Sequence, residues 1–205
     1  MEPGLFDFCR ENTAFQSLKG LPFLKLDMRY ASCRNLCGVD LYEGESDAWL
    51  APEAVAALAK AAETLQILHP GWRFRIYDAA RPLSVQRRLF AAVAGSPQQA
   101  YVADPAIGSV HNYGYAVDLG LEDAQGREQD FGTPFDAFDP LAHPEKEEGY
   151  LREGRLSGRA LQLRKDLRAA MVSGGFRQHP LEWWHYDLLS LEEAKRRAAP
   201  FLGRP

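Results

Sequence analysis

Two short segments constrain this chain most: Ser109-Val-His111-Asn-Tyr-Gly114-Tyr-Ala-Val-Asp118 and, more than sixty residues later, Glu182-Trp-Trp-His185. Between them they hold two imidazoles and two carboxylates. Two imidazoles and one carboxylate suffice to grip a tetrahedral zinc ion with one position left open, and the second carboxylate can then act on water at that position. Any fold that serves this chemistry must bring the two segments face to face. The expectation is a zinc hydrolase with one ion per chain.

The remaining composition sets bounds on partners. With 205 residues, 46% of them hydrophobic and 25% charged, the chain can bury a substantial core and reads as one zinc-binding domain over residues 1–205. A net charge of -4 with no local run of Lys and Arg gives no field for nucleic acid, so a small molecule or peptide is the expected substrate. No stretch has the length of a membrane span, and no membrane partner is expected. The first residues lack a basic segment followed by an apolar run, and Cys9, Cys33 and Cys37 are too few and odd in number for a disulfide framework. A cytoplasmic protein is expected. Oligomeric state is left open.

Local patterns give the elements. Pro52 to Leu68 is rich in helix formers, begins with Pro and stops before His69-Pro70-Gly71. Phe74 to Tyr77 alternates as a half-buried strand and ends in the turn Asp78-Ala-Ala-Arg81-Pro82. Helices are expected from Leu83 to Ala94 and from Arg159 to Val172, with a last one opened by Ser190 and Glu193 at capping-box spacing. Tyr115 to Leu121 reads as a strand, followed by a hairpin turn at Asp123 to Gly126 and a return through Arg127 to Phe131. Strands and helices do not alternate regularly. The fold expected is α+β, a central antiparallel sheet carrying the zinc site and flanked by helices.

On the Tyr115–Leu121 strand, Asp118 shares a face with Ala116 and Gly120, small residues that leave space for an ion. His111 lies at an odd offset from Asp118, so Gly114 is expected to break the strand and let His111 fold back from a loop or preceding strand. Glu182 and His185 would diverge on a regular strand, which calls for a bulge or bend near Trp183. Taken singly, each residue has an ordinary reading. Trp183 and Trp184 suit a core, His69 and His179 precede prolines as turn residues do, and Arg81 could simply pair with Asp78.

Taken together, the segments resemble the D-alanyl-D-alanine dipeptidases of the vancomycin-resistance type, within the wider group of zinc D-Ala-D-Ala peptidases. That family carries Ser-x-His-x-x-Gly-x-Ala-x-Asp and Glu-x-Trp-His, matched here by Ser109 to Asp118 and Glu182 to His185. Further matches are Arg29-Tyr30-Ala31-Ser32-x-x-Asn35, Tyr77-Asp78-Ala-Ala-Arg81-Pro82 and Phe135-Asp136-Ala-Phe138, in the family's order.

The resemblance implies zinc ligands at His111, Asp118 and His185, a catalytic base at Glu182 and a transition-state arginine at Arg81. It also implies that Ser109, Tyr30 and Asp136 help hold the two ends of a short dipeptide. His143 matches a family His, but Ala142 stands before it where Ser is common. Two other readings compete: a D,D-carboxypeptidase or endopeptidase acting on peptidoglycan stems, and a binding domain without turnover. The first would normally require export, and the second tends to lose the base or a ligand, all of which are present. The segment after His185 also lacks the His-x-His pair of the lysostaphin-like endopeptidases.

Overall fold

Pro52–Leu68 is helical along its whole length, as its alanine-rich composition dictates, and turns Val55, Leu58, Ala61, Ala62 and Leu65 inward. It is the second of six α-helices in the computed structural model, which describes residues 4–201. The helices are α1 (Asp7–Glu11), α2 (Pro52–Leu68), α3 (Leu83–Ala92), α4 (Glu147–Arg152), α5 (Gly158–Ser173) and α6 (Leu191–Arg197). The strands are β1 (Gln16–Ser17), β2 (Leu24–Leu26), β3 (Trp49–Leu50), β4 (Arg73–Asp78), β5 (Ala116–Glu122), β6 (Arg177–Gln178) and β7 (His185–Asp187). The expected helices and the two longer strands are all present. Ser190 opens α6 through the reciprocal capping box with Glu193.

A five-stranded sheet runs in the order β2-β4-β5-β7-β6, with β1 and β3 forming a separate pair. The expectation of an antiparallel sheet needs correction. β4, β5, β7 and β6 are antiparallel to their neighbours, but β2 runs parallel to β4, so the sheet is mixed. Parallel strands need a long crossover, and the segment containing β3 and α2 supplies it. The expected return strand after Asp123–Gly126 is a single bridge between Glu122 and Glu128. The turn itself is well made, with Asp123 accepting from the backbone N–H groups of Gln125 and Arg127.

The two faces of the sheet differ in chemistry. Phe74 and Ile76 on β4, opposite Leu121 and Leu119 on β5, belong to one apolar cluster with the inner faces of α2 and α5. On the other face Arg73 and Arg75 pair with Glu122, and further along stands Asp118. Gly120 does not leave space for an ion there. A Cβ at Gly120 would lie 2.4 Å from the Tyr77 hydroxyl, so the glycine makes room for Tyr77. A register shift between Ile76 and Asp78 then sets Asp78 opposite Asp118.

Candidate metal centre and active site

Strand register accounts for the first two members of the site. His185 on β7 is paired directly with Asp118 on β5, so the two side chains rise from one face of the sheet, with Nδ1 of His185 2.9 Å from Oδ1 of Asp118. Glu182 lies in a turn just before β7 rather than beside a bulge inside a strand. That turn brings its Oε2 to 3.8 Å from His185 Nδ1. The chain bends as the i, i+3 spacing requires, by a tighter device than expected.

His111 arrives from a 3-10 turn, Val110–Tyr113, capped by Ser109 and closed by Gly114 in the left-handed region at φ 73°. The same glycine leaves no space for a side chain, since a Cβ would meet the ring of Phe15 at 2.8 Å. Two bonds lock this turn onto the one that carries Arg81: the Arg81 N–H donates to His111 O at 3.0 Å, and Asn112 Nδ2 donates to Arg81 O at 2.9 Å. Nε2 of His111 ends 3.1 Å from His185 Nδ1 and 3.4 Å from Asp118 Oδ1.

This triangle fits a metal on chemical grounds. Nδ1–H of His111 donates to Ala79 O at 2.7 Å, and Nε2–H of His185 donates to Asp187 Oδ1 at 3.0 Å. Each imidazole thus spends its proton outward and turns a bare nitrogen toward the other and toward a carboxylate. Three acceptors in contact repel unless a cation lies among them. Zinc bonds of about 2.0–2.1 Å in a tetrahedral array set neighbouring ligand atoms about 3.3 Å apart, close to the separations here. Despite burial, Asp187 and Asp118 hold the His185 pKa well above its ordinary value: positive charge is favoured at this point, and a metal ion bound here would take the place of the Nδ1 proton. Likewise, against the cost of burial, His111 and His185 hold the Asp118 carboxyl well below the usual range.

Around the triangle is a cavity of about 300 Å³ lined by Tyr30, Arg81, Ser109, Asp136 and Glu182 among others. All the expected site residues therefore meet in one place. Burial pushes the Glu182 carboxyl up to about 8, partly opposed by His185. Arg81 does pair with Asp78, at 2.7 Å, and also donates to Gln86 Oε1 at 2.8 Å, yet its Nη2 stands 3.6 Å from Asp118 Oδ2. The structural and the catalytic readings of Arg81 are thus not rivals. Asp78 fixes the guanidinium, and removing this partner from a buried pair would cost about 3–5 kcal/mol.

At the other end Asp136 adopts φ 59°, accepts from the Tyr30 hydroxyl at 3.2 Å and from the Leu36 N–H at 3.2 Å. Burial pushes its carboxyl up to about 7, with the Leu36 N–H working the other way. Ser109 Oγ accepts the His111 N–H at 3.3 Å.

Sequence reasoning missed three participants. His179 is no idle turn residue: it lines the cavity, its ring centre 5.2 Å from that of His185, and burial and His185 depress its pKa to about 4. Asp187 braces His185, and the carbonyl of Ala79 braces His111. Aspartate two residues after a ligand histidine, on the same strand face, was the available signal for Asp187.

Comparison with known proteins decides the family. A family model described as D-ala-D-ala dipeptidase matches residues 13–199. The chain belongs to that family. It is therefore a metallopeptidase by kinship. It is 34% identical to the D-alanyl-D-alanine dipeptidase of Escherichia coli over 82% of this chain and 80% of that protein. It is also 28% identical to the enzyme of that name from Synechocystis, over 87% of this chain and 82% of the relative. A third, from Enterococcus faecalis, is 26% identical over 81% and 86% respectively. Among the described residues no helix is long and apolar enough to cross a membrane.

Proposed function

We propose that the chain is a single-domain, zinc-dependent dipeptidase that hydrolyses D-alanyl-D-alanine and related short D,D-dipeptides. The observation that carries this reading is the pair of facing imidazole nitrogens, His111 Nε2 and His185 Nδ1, 3.1 Å apart beside Asp118 with Glu182 alongside. A zinc ion bound there would supply Lewis acidity toward a peptide carbonyl and toward water.

The protein's own groups do the rest. Glu182, lining the cavity beside His185, takes a proton from the attacking water and passes it to the departing amine. The Arg81 guanidinium, fixed by Asp78 and Gln86, offers donors to the carbonyl oxygen as negative charge develops there. Asp136 with Tyr30 receives the free ammonium of the dipeptide, and Ser109 donates to its free carboxylate. A longer peptide would bring an uncharged amide to one of these ends and leave a buried charged group unmatched, which selects for length.

Free thiols at Cys9, Cys33 and Cys37 accord with a cytoplasmic role in turnover of cell-wall dipeptide or in glycopeptide resistance. The test is to assay the metal-analysed protein on dipeptides of both chiralities and on a stem pentapeptide. Hydrolysis of D-alanyl-D-alanine with about one zinc per chain is expected. Cleavage of the pentapeptide alone would replace this reading with a carboxypeptidase, and tight dipeptide binding without turnover would replace it with a binding domain.

A further inference from the structure

Among residues given no role so far, His143 stands out. It lies between two short 3-10 turns, Pro140–Ala142 and Pro144–Lys146, and is 6% exposed. Nε2 of His143 is 3.0 Å from the hydroxyl of Tyr101, while its Nδ1 is buried with no hydrogen-bond partner. Burial and Lys146 depress its pKa, so the ring is neutral and carries one proton.

The position of that proton follows from the environment. A buried N–H without an acceptor is a rarer and costlier orphan than a bare ring nitrogen, so Nδ1 is bare and Nε2 bears the hydrogen. Nε2–H then donates to Tyr101 Oη, and the phenol, its oxygen engaged from behind, has its own proton free to donate elsewhere. Tyr101 ends the 3-10 turn Pro97–Tyr101 and lines the same cavity as Glu182 and Ser109, its ring 5.1 Å from that of Phe138. Ser109 is arranged alike. Its Oγ accepts the His111 N–H at 3.3 Å, which frees its own proton. Two hydroxyls of one chain segment, each with a hydrogen bond received from behind and its own proton free to donate, suit an anionic acceptor better than an ammonium.

We propose that Tyr101 is a further substrate-binding residue, donating to the free carboxylate of the dipeptide, and that His143 is the positioning residue that makes it a donor. This rests on the dipeptidase reading. It also assigns a use to a histidine that neither the metal nor the base requires.

The test compares D-alanyl-D-alanine with its C-terminal amide, which lacks the negative charge. For Tyr101→Phe, KM for the dipeptide should rise at least about tenfold, as expected for a hydrogen bond to a charged group, with a smaller effect on kcat. For the amide the rise should be less than about threefold. His143→Ala should reproduce the dipeptide effect, add nothing in the Tyr101→Phe background, and be largely rescued by His143→Gln, whose amide can donate near the same place. Calorimetric titration of both ligands into the zinc-loaded Glu182→Gln protein, with and without Tyr101→Phe, reads binding independently of turnover. A wild-type protein that does not hydrolyse the dipeptide, while this binding contrast holds, would sink the hydrolase reading and keep the carboxylate contact. Equal losses for dipeptide and amide, or no loss for either, would overturn the proposal for Tyr101. Failure of His143→Ala to mimic Tyr101→Phe would overturn the role of His143.

Discussion

Asp118 and His185 face each other across a strand ladder, whereas Asp136 sits in an irregular segment at φ 59° and is held by Tyr30 and Leu36, about a hundred residues away in the chain. The half of the cleft proposed to hold the metal is built on sheet register and on a 3-10 turn bonded to its neighbour. Each imidazole there has its rear nitrogen engaged. The other half is built on segments that meet through the side chain of Asp136, which accepts from the Tyr30 hydroxyl and the Leu36 N–H. Regular structure fixes ligand atoms to within the tolerance a cation demands, while loops suit a substrate terminus that must enter and leave. Changes in the first half should therefore appear in kcat or in metal content, and changes in the second in KM.

The severest way to break this contrast is at Glu182. Glu182→Gln should lower kcat by about 10²–10⁴-fold, the usual contribution of a positioned general base, with zinc content by elemental analysis unchanged. Loss of metal along with activity would show that Glu182 belongs to the ligand set. Next in size, Arg81→Lys keeps the charge but cannot fork to Asp78 and Gln86, so kcat should fall by about 100-fold or more with a lesser change in KM. A variant retaining near-full kcat would return Arg81 to a purely structural ion pair.

The same contrast explains what could be read from the chain in advance. His111, Asp118, Glu182 and His185 were legible because few chemistries use those residue types at that spacing, and family likeness then supplied Arg81, Ser109, Tyr30 and Asp136. Helix α2 and strand β5 were legible from composition and alternation over seven or more residues. Strand β2 was not, because Leu24–Leu26 is too short to show a period, and its parallel pairing depends on a crossover that no local pattern reports. The register shift at Asp78 and the seat of His179 against His185 are likewise set by partners distant in sequence. His179-Pro180 reads as a turn until β6 and β7 are paired.

Asp187→Asn sharpens the metal side. The carboxylate accepts Nε2–H of His185 at 3.0 Å, fixing both ring orientation and tautomer; an amide of the same shape can accept more weakly or flip and donate. Zinc affinity measured by chelator competition should weaken by about 10–100-fold, with kcat of the zinc-saturated protein far less affected. If affinity stayed at the wild-type level, the bracing of His185 would have to come from elsewhere, and the claim that regular structure completes the ligand set would weaken.

The smallest effect, and the one that probes the loop half, concerns Asp136. Its carboxyl faces the Leu36 N–H, the Tyr30 hydroxyl, Arg81 and the negative Asp118, and burial leads these influences in raising its pKa to about 7. An ammonium is recognised by the ionised form, so kcat/KM should climb as pH rises through about 7 and decline again as the dipeptide's own amine loses its proton near pH 8. Asp136→Asn should raise KM by about tenfold and remove the step near 7 from the acid limb, leaving the step that ionisation of Glu182 sets near 8. Stability should move oppositely. A carboxyl whose pKa is raised on folding contributes stability below its unfolded value, near 3.9, and that contribution is lost as pH rises through about 7. The asparagine variant should therefore gain on the wild type in thermal midpoint as pH rises from about 4 to about 7, the span between the unfolded and folded values, and keep that lead at pH 8. A variant that lost both binding and stability at pH 8 would mean that the charge on Asp136 is already compensated in the fold, and the division between a rigid metal half and an adaptable substrate half would no longer describe this cleft.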